Sequence, residues 1–174
     1  MADKHAVVRT DLLAGTDVGA YLSMGRYLGA DGATPTAIDN GNVVKVGNLI
    51  AGERDLRVYT TPAVGTAIDL IALVATPERF YDGLTHGAKD YENAKGQNLR
   101  AYLLGGMTAS SCFTVTEDGF AIAGTPAVGW IAELQAGTKL KLVASATAGS
   151  TVVGKVIGIT KLEGVTAYVI GKVV

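Results

Sequence analysis

The sequence predicts a mainly β protein, a small barrel or sandwich with an N-terminal extended arm and one short helix in a loop-rich insertion. Three observations predict it. Residues 125–174 run as short segments rich in Val, Ile, Thr and Tyr, divided by glycine-bearing turns, which suits pleated strands. The 23 glycines against 4 prolines favour tight turns and close backbone approach over disorder. Apolar residues make up 48% of the chain and charged residues 18%, yet no apolar run approaches the roughly 18 residues of a spanning helix. The apolar surplus is therefore assigned to subunit interfaces, and no membrane partner is expected.

In chain order, residues 1–30 read as an arm, with Val7, Val8, Leu12 and Leu13 as apolar pairs between charges. Such a segment is not self-sufficient and suits a surface to lie on. Ala6–Arg9 reads equally well as a first edge strand. The expected partner interface is Val7, Val8, Arg9, Leu12, Leu13, Tyr21 and Arg26. One β-rich domain then covers residues 31–174. Asn40-Gly41 supplies the positive φ of a tight turn, and strands follow at Gly41–Gly47 and Leu56–Thr60. Asp31, Asp39, Asn40 and Asn42 invite a calcium-loop reading, but the spacing lacks the Asp-x-Asp/Asn-x-Asp/Asn-Gly frame and its closing glutamate.

Thr76-Pro77-Glu78-Arg79 opens a short helix, with a hydroxyl cap, proline at the first helical position and an acid in the first turn. Gly83 and Gly87 interrupt it, so about residues 76–98 form an inserted lobe. Strands resume at Leu99–Leu104, Cys112–Thr116 and Phe120–Ala123. Leu140 and Leu142 alternate with Lys139 and Lys141, which gives a strand with one apolar face. Val152–Thr160 and Val165–Val174 are apolar on both faces, and a turn through Lys161–Gly164 joins them. Strands wet on neither side belong in a packed barrel or against another subunit. Thr61–Gly65 recurs letter for letter as Thr125–Gly129, which is read as shared local geometry and not as a duplication.

Charge excludes some partners. A net charge of −1 gives no long-range field for nucleic acid, and the aromatics are not interleaved with arginine. Residues 135–174 nevertheless carry Lys139, Lys141, Lys155, Lys161 and Lys172 against Glu163 alone. Those lysines keep edge strands soluble, or they face an acidic protein. The single Cys112 has no partner for an internal disulfide. The first 13 residues lack the pattern of a secretory signal, so synthesis and assembly in a cytoplasm are expected.

No motif for chemistry emerges. There is no Gly-x-Ser-x-Gly elbow and no phosphate-binding Gly-x-x-x-x-Gly-Lys-Ser/Thr. The two histidines, His5 and His86, lie far apart, so a histidine-based metal site needs carboxylates from distant loops. The expectation is a protein without catalytic residues, cofactor or metal.

The run 93–120 (NAKGQNLRAYLLGGMTASSCFTVTEDGF), with 125–147, TVVGKVIGI, TAYVIGKVV and the opening MADKHAVVRTDLLAGTDV, resembles capsid decoration or head cement proteins of tailed bacteriophages. That resemblance implies a structural virion protein on the outer capsid surface, with the major capsid protein as partner. It also implies a homo-oligomer, with a trimer favoured. Alternatives are a tail-tube or head-fibre component, or a carbohydrate-binding β module. The last would want a row of exposed aromatics, and Trp130 is the only tryptophan.

Overall fold

The computed structural model describes residues 5–8, 21–78, 87–108 and 111–172. Among them the chain is mainly β, with eleven strands and only single 3-10 turns at Ile68–Leu70, Ala88–Asp90 and Glu117–Gly119. The strands form two bodies. The first is a closed barrel of β1 (Leu22–Tyr27), β2 (Val43–Leu49), β3 (Leu56–Thr60), β4 (Ile71–Val74) and β5 (Leu99–Leu103), in the order β1-β3-β2-β4-β5. The second is a six-stranded sheet of β6 (Cys112–Thr116), β7 (Phe120–Ile122), β8 (Ile131–Glu133), β9 (Leu140–Val143), β10 (Val152–Leu162) and β11 (Val165–Gly171), in the order β6-β11-β10-β8-β9-β7.

The barrel thus comes from residues 22–103 alone, and residues 112–171 form the sheet. Leu22–Tyr27, expected within an arm, is the barrel strand that pairs in parallel with β3 and antiparallel with β5. Its polar and glycine residues hid it. Gly25 is needed there because a Cβ would sit 2.5 Å from the Arg57 carbonyl and 2.7 Å from the Tyr59 ring. No helix begins at Thr76 through Glu78, and residues 79–86 of the expected lobe lie outside the described residues.

Two cores result from the alternation of β4. Ala72 and Val74 point into the barrel with Tyr27, Val44, Tyr59, Leu99 and Ala101. Ile71 and Leu73 point outward and pack on Phe113, Leu140, Leu142, Val156, Tyr168, Ile170 and their neighbours in the sheet. All four β4 side chains are buried, so the run IALV needs no polar residue. Tyr59, fully buried inside the barrel, donates to Ser23 Oγ at 2.8 Å, and burial pushes its hydroxyl up to about 12.

The junction of the two bodies is closed by the N-terminal segment. Val8 bridges Val115 antiparallel, Val7 exchanges hydrogen bonds with Thr116, and Ala6 and Val8 join the larger core. Gly41, at φ +81°, sits beneath them, where a Cβ would meet Val115, Val8 and Ala6. Both copies of Thr-Pro-Ala-Val-Gly close a four-residue turn, with Thr66 N–H bonded to the Ala63 carbonyl and Trp130 N–H to the Ala127 carbonyl. The turns differ in type, because Gly129 takes φ +95° and Gly65 stays out of that region.

Candidate functional site

Two places in the molecule hold side chains that the fold itself does not use up. The first is the outer face of the six-stranded sheet. In paired strands, directly opposed residues share a face. Val143 opposes Ile131, Ile131 opposes Lys155, Lys155 opposes Gly171, and Gly171 opposes Cys112, so one row crosses five strands on the side away from the core. Val169, two residues before Gly171, extends that face. Ile157 lies over Gly171, whose Cβ would come within 2.9 Å of the Ile157 side chain. Val143, Ile131, Cys112 and Val169 are half-buried, while Lys155 and Ile157 are exposed, Ile157 at 48%.

A bulge between Val156 and Gly158 decides which isoleucine belongs there. Counting by twos places Lys155, Ile157, Ile159 and Lys161 on one side. The extra residue breaks that count, and Ile159 pairs with Tyr168 on the core side. Ile159 there lines a shallow hollow with Ile122, Pro126, Thr166 and Tyr168. The sequence showed two strands apolar on both faces. It could not show that the outer face of β10 and β11 has nothing from the described chain packed on Ile157.

The second place is a corner of the barrel where three segments meet. Ile38 and Asn93 exchange both backbone hydrogen bonds, each 3.1 Å. Asp39 and Glu92 each adjoin one residue of this isolated bridge, which brings their side chains to the same spot. His5 reaches the same spot from the N-terminal segment, with Nδ1 2.7 Å from Asp39 Oδ1. One ligand-type atom from each of His5, Asp39 and Glu92 lies within 4.8 Å of the others. The sequence treated carboxylates from distant loops as an improbable requirement, and the fold supplies two.

The calcium-loop reading of Asp31, Asp39, Asn40 and Asn42 does not survive, because these residues do not converge. Asp31 accepts from Thr34 Oγ and from the Ala33 and Thr34 amides, and these bonds hold its carboxyl down at about 2. Asn40 clamps both backbone groups of Thr76, and Asn42 Oδ1 is buried without a hydrogen-bond partner among the described residues.

Of the residues expected at a partner interface, Val7 and Val8 are buried in their own fold. Tyr21 is half-buried with its ring against Gly106. Arg26 is tied within the barrel, to Asn98 Oδ1 at 2.9 Å and Glu53 at 3.5 Å. Arg9, Leu12 and Leu13 lie outside the described residues. Cys112 is half-buried on the outer sheet face.

An open hollow of about 890 Å³ also lies at the barrel end where β1, β3 and β4 begin, with Met24 and Leu70 among Lys45, Asp55, Arg57 and Asp69. Its walls mix both charges and converge on no point. Comparison of the chain with protein-family models, curated proteins and solved structures finds no match.

Proposed function

We propose that this protein is a non-enzymatic structural component of a virion, which binds the outside of a phage capsid lattice and stabilises or decorates it. The observation that carries the reading is the outer sheet face, a half-exposed apolar row across five strands with Lys155 and Ile157 at its centre. A clamp of this kind needs area and shape and no reactive group. The exposed Lys155 on that face favours an acidic patch on the partner, and repetition on a lattice gives avidity to a weak single contact. The family resemblance points the same way and adds self-association as a trimer.

The test is co-sedimentation of the purified chain with empty capsid shells of the cognate phage. Binding by the wild type, and its loss in Ile157→Glu with an unchanged circular dichroism spectrum, is the expected result. No binding by the wild type sinks the proposal. Point changes on the face are cleaner than deletion of residues 1–20, because that deletion also removes Ala6 and Val8 from the core. Rings or tubes formed by the isolated protein would instead favour a tail-tube component. A carbohydrate module has the least support: Trp130 is half-buried against the larger core, and Tyr27, Tyr59, Tyr91, Tyr102 and Tyr168 are buried.

A further inference from the structure

We propose that His5, Asp39 and Glu92 form a binding site for one divalent transition-metal ion, which fastens the N-terminal segment to the barrel.

Asp39 and Glu92 each adjoin one residue of the isolated Ile38–Asn93 bridge, and a carboxylate oxygen of each lies within 4.8 Å of the other. Like charges held this close repel, so two neighbouring carboxylates favour a cation between them. Among the described residues, neither forms an ion pair with a lysine or arginine. The remaining neighbour is the His5 imidazole. A protonated ring adds one positive charge against two negative ones. A divalent ion with neutral imidazole balances the two carboxylates fully, and it uses the Nδ1 lone pair and both carboxylates as ligands.

Distances agree with that chemistry. Metal–nitrogen bonds of about 2.0–2.1 Å and metal–oxygen bonds of about 2.0–2.2 Å set neighbouring ligand atoms roughly 3 Å apart. The 2.7 Å between His5 Nδ1 and Asp39 Oδ1 is such an edge, and a Glu92 carboxylate oxygen lies within 4.8 Å of one ligand atom from each of the two residues. One nitrogen and two oxygens suit a borderline ion such as Zn²⁺ or Mn²⁺, with water completing the shell.

The surroundings fix all three ligands in place. Asn93 Nδ2 donates to the Ile38 carbonyl and to Asn40 Oδ1, at 3.0 and 3.1 Å. Asn40 in turn holds Thr76 through its amide nitrogen and oxygen, at 2.9 and 3.0 Å. These amides are buried, so the segments that carry Asp39 and Glu92 are tied together at the neighbouring residues. His5 is set by its own amide, bonded to the Lys89 carbonyl at 3.2 Å, and by the buried Ala6 beside it.

The full chain, stripped with EDTA and dialysed, is titrated with Zn²⁺, with Mn²⁺ and with Ca²⁺ as a hard-cation comparison, by calorimetry. One ion per chain is expected for Zn²⁺ and Mn²⁺, each bound more tightly than Ca²⁺, with at least a tenfold loss of Zn²⁺ affinity in Glu92→Gln. Glu92 is exposed, so that variant keeps its fold, which circular dichroism checks. Histidine NMR gives a reading that does not depend on any variant folding. The chain has only His5 and His86, and Zn²⁺ should move the His5 ring signals, assigned by correlation to the backbone of the wild-type chain. No saturable Zn²⁺ binding, a Glu92→Gln affinity equal to wild type, or unmoved His5 signals would each overturn the proposal. None of these outcomes depends on whether the protein binds capsid shells.

Discussion

β4 and β10 look alike as text and end differently. IALV in β4 and the VVGKVIGI that opens β10 are both apolar on two sides. In β4 each side has a body to meet, the barrel interior for Ala72 and Val74 and the sheet for Ile71 and Leu73. In β10 only Val153 and Val156 are taken up by the core, and Ile157 and Ile159 stay about half exposed on opposite sides of the strand. A two-sided apolar strand states a demand for two partners. Whether the chain itself supplies both is a property of topology.

The largest test of that contrast is Ile71→Ala. Ile71 is fully buried between barrel and sheet, and truncation there should cost about 2–5 kcal/mol in urea unfolding. A cost under about 1 kcal/mol would mean that the two bodies are not packed as one unit. Next comes Gly25→Ala, which drives a methyl group into the Tyr59 ring and the Arg57 carbonyl across the barrel wall. Overpacking of this kind costs about 1–3 kcal/mol. An unaffected melting temperature would argue that the barrel is not closed at β1.

Glu78 probes the corner where the two bodies meet, just after β4. Burial first, and then the charge of Glu163 at the tip of the β10–β11 hairpin, pushes its carboxyl up to about 7 from 4.5. An acid whose pKa is raised by folding binds its proton more tightly in the folded state. Stability from this group is therefore present below pH 4.5 and falls as the pH rises to about 7. Glu78→Gln should leave stability at pH 4.5 unchanged and raise it at pH 8, flattening the curve between. Because the group is half-buried and partly screened, the gain stays below about 1 kcal/mol, or about 4 °C in Tm for a chain this long. A wild-type curve already flat across that range would remove the effect.

Strand content was legible because period and turn chemistry are local. Leu56–Thr60 and Cys112–Thr116 appear at the expected residues, and the Lys139–Leu142 alternation became β9 with Leu140 and Leu142 buried. β1 was not legible, since LSMGRY has neither the apolar period nor β-branched residues, and its place rests on pairing with β3 and β5. The turn joining β10 and β11 was legible in place, with Glu163 and Gly164 both at positive φ. The bulge at Val156–Gly158 was not, and it moved Ile159 to the other side. The His5, Asp39 and Glu92 corner was also hidden. Its three residues belong to segments that meet only through the Ile38–Asn93 pair and the placement of the N-terminal segment, and nothing in their spacing announces that.

The smallest expected effect is the one that bears most on function. Ile157→Ala removes the same atoms as Ile71→Ala from a side chain that is about half exposed, so a dilute monomer should change by no more than about 0.5 kcal/mol. The comparison gains its force from concentration. If the outer face is reserved for a capsid partner, the small cost holds at every protein concentration, while affinity for shells drops. If a second copy of this chain covers Ile157, the cost rises with concentration toward that of Ile71→Ala, because the dimer or trimer is then part of the folded state. Urea unfolding of both variants at two concentrations separates the cases: a cost for Ile157→Ala that is large even in the dilute monomer would mean that part of this chain already covers the face, and the difference drawn between β4 and β10 would be lost.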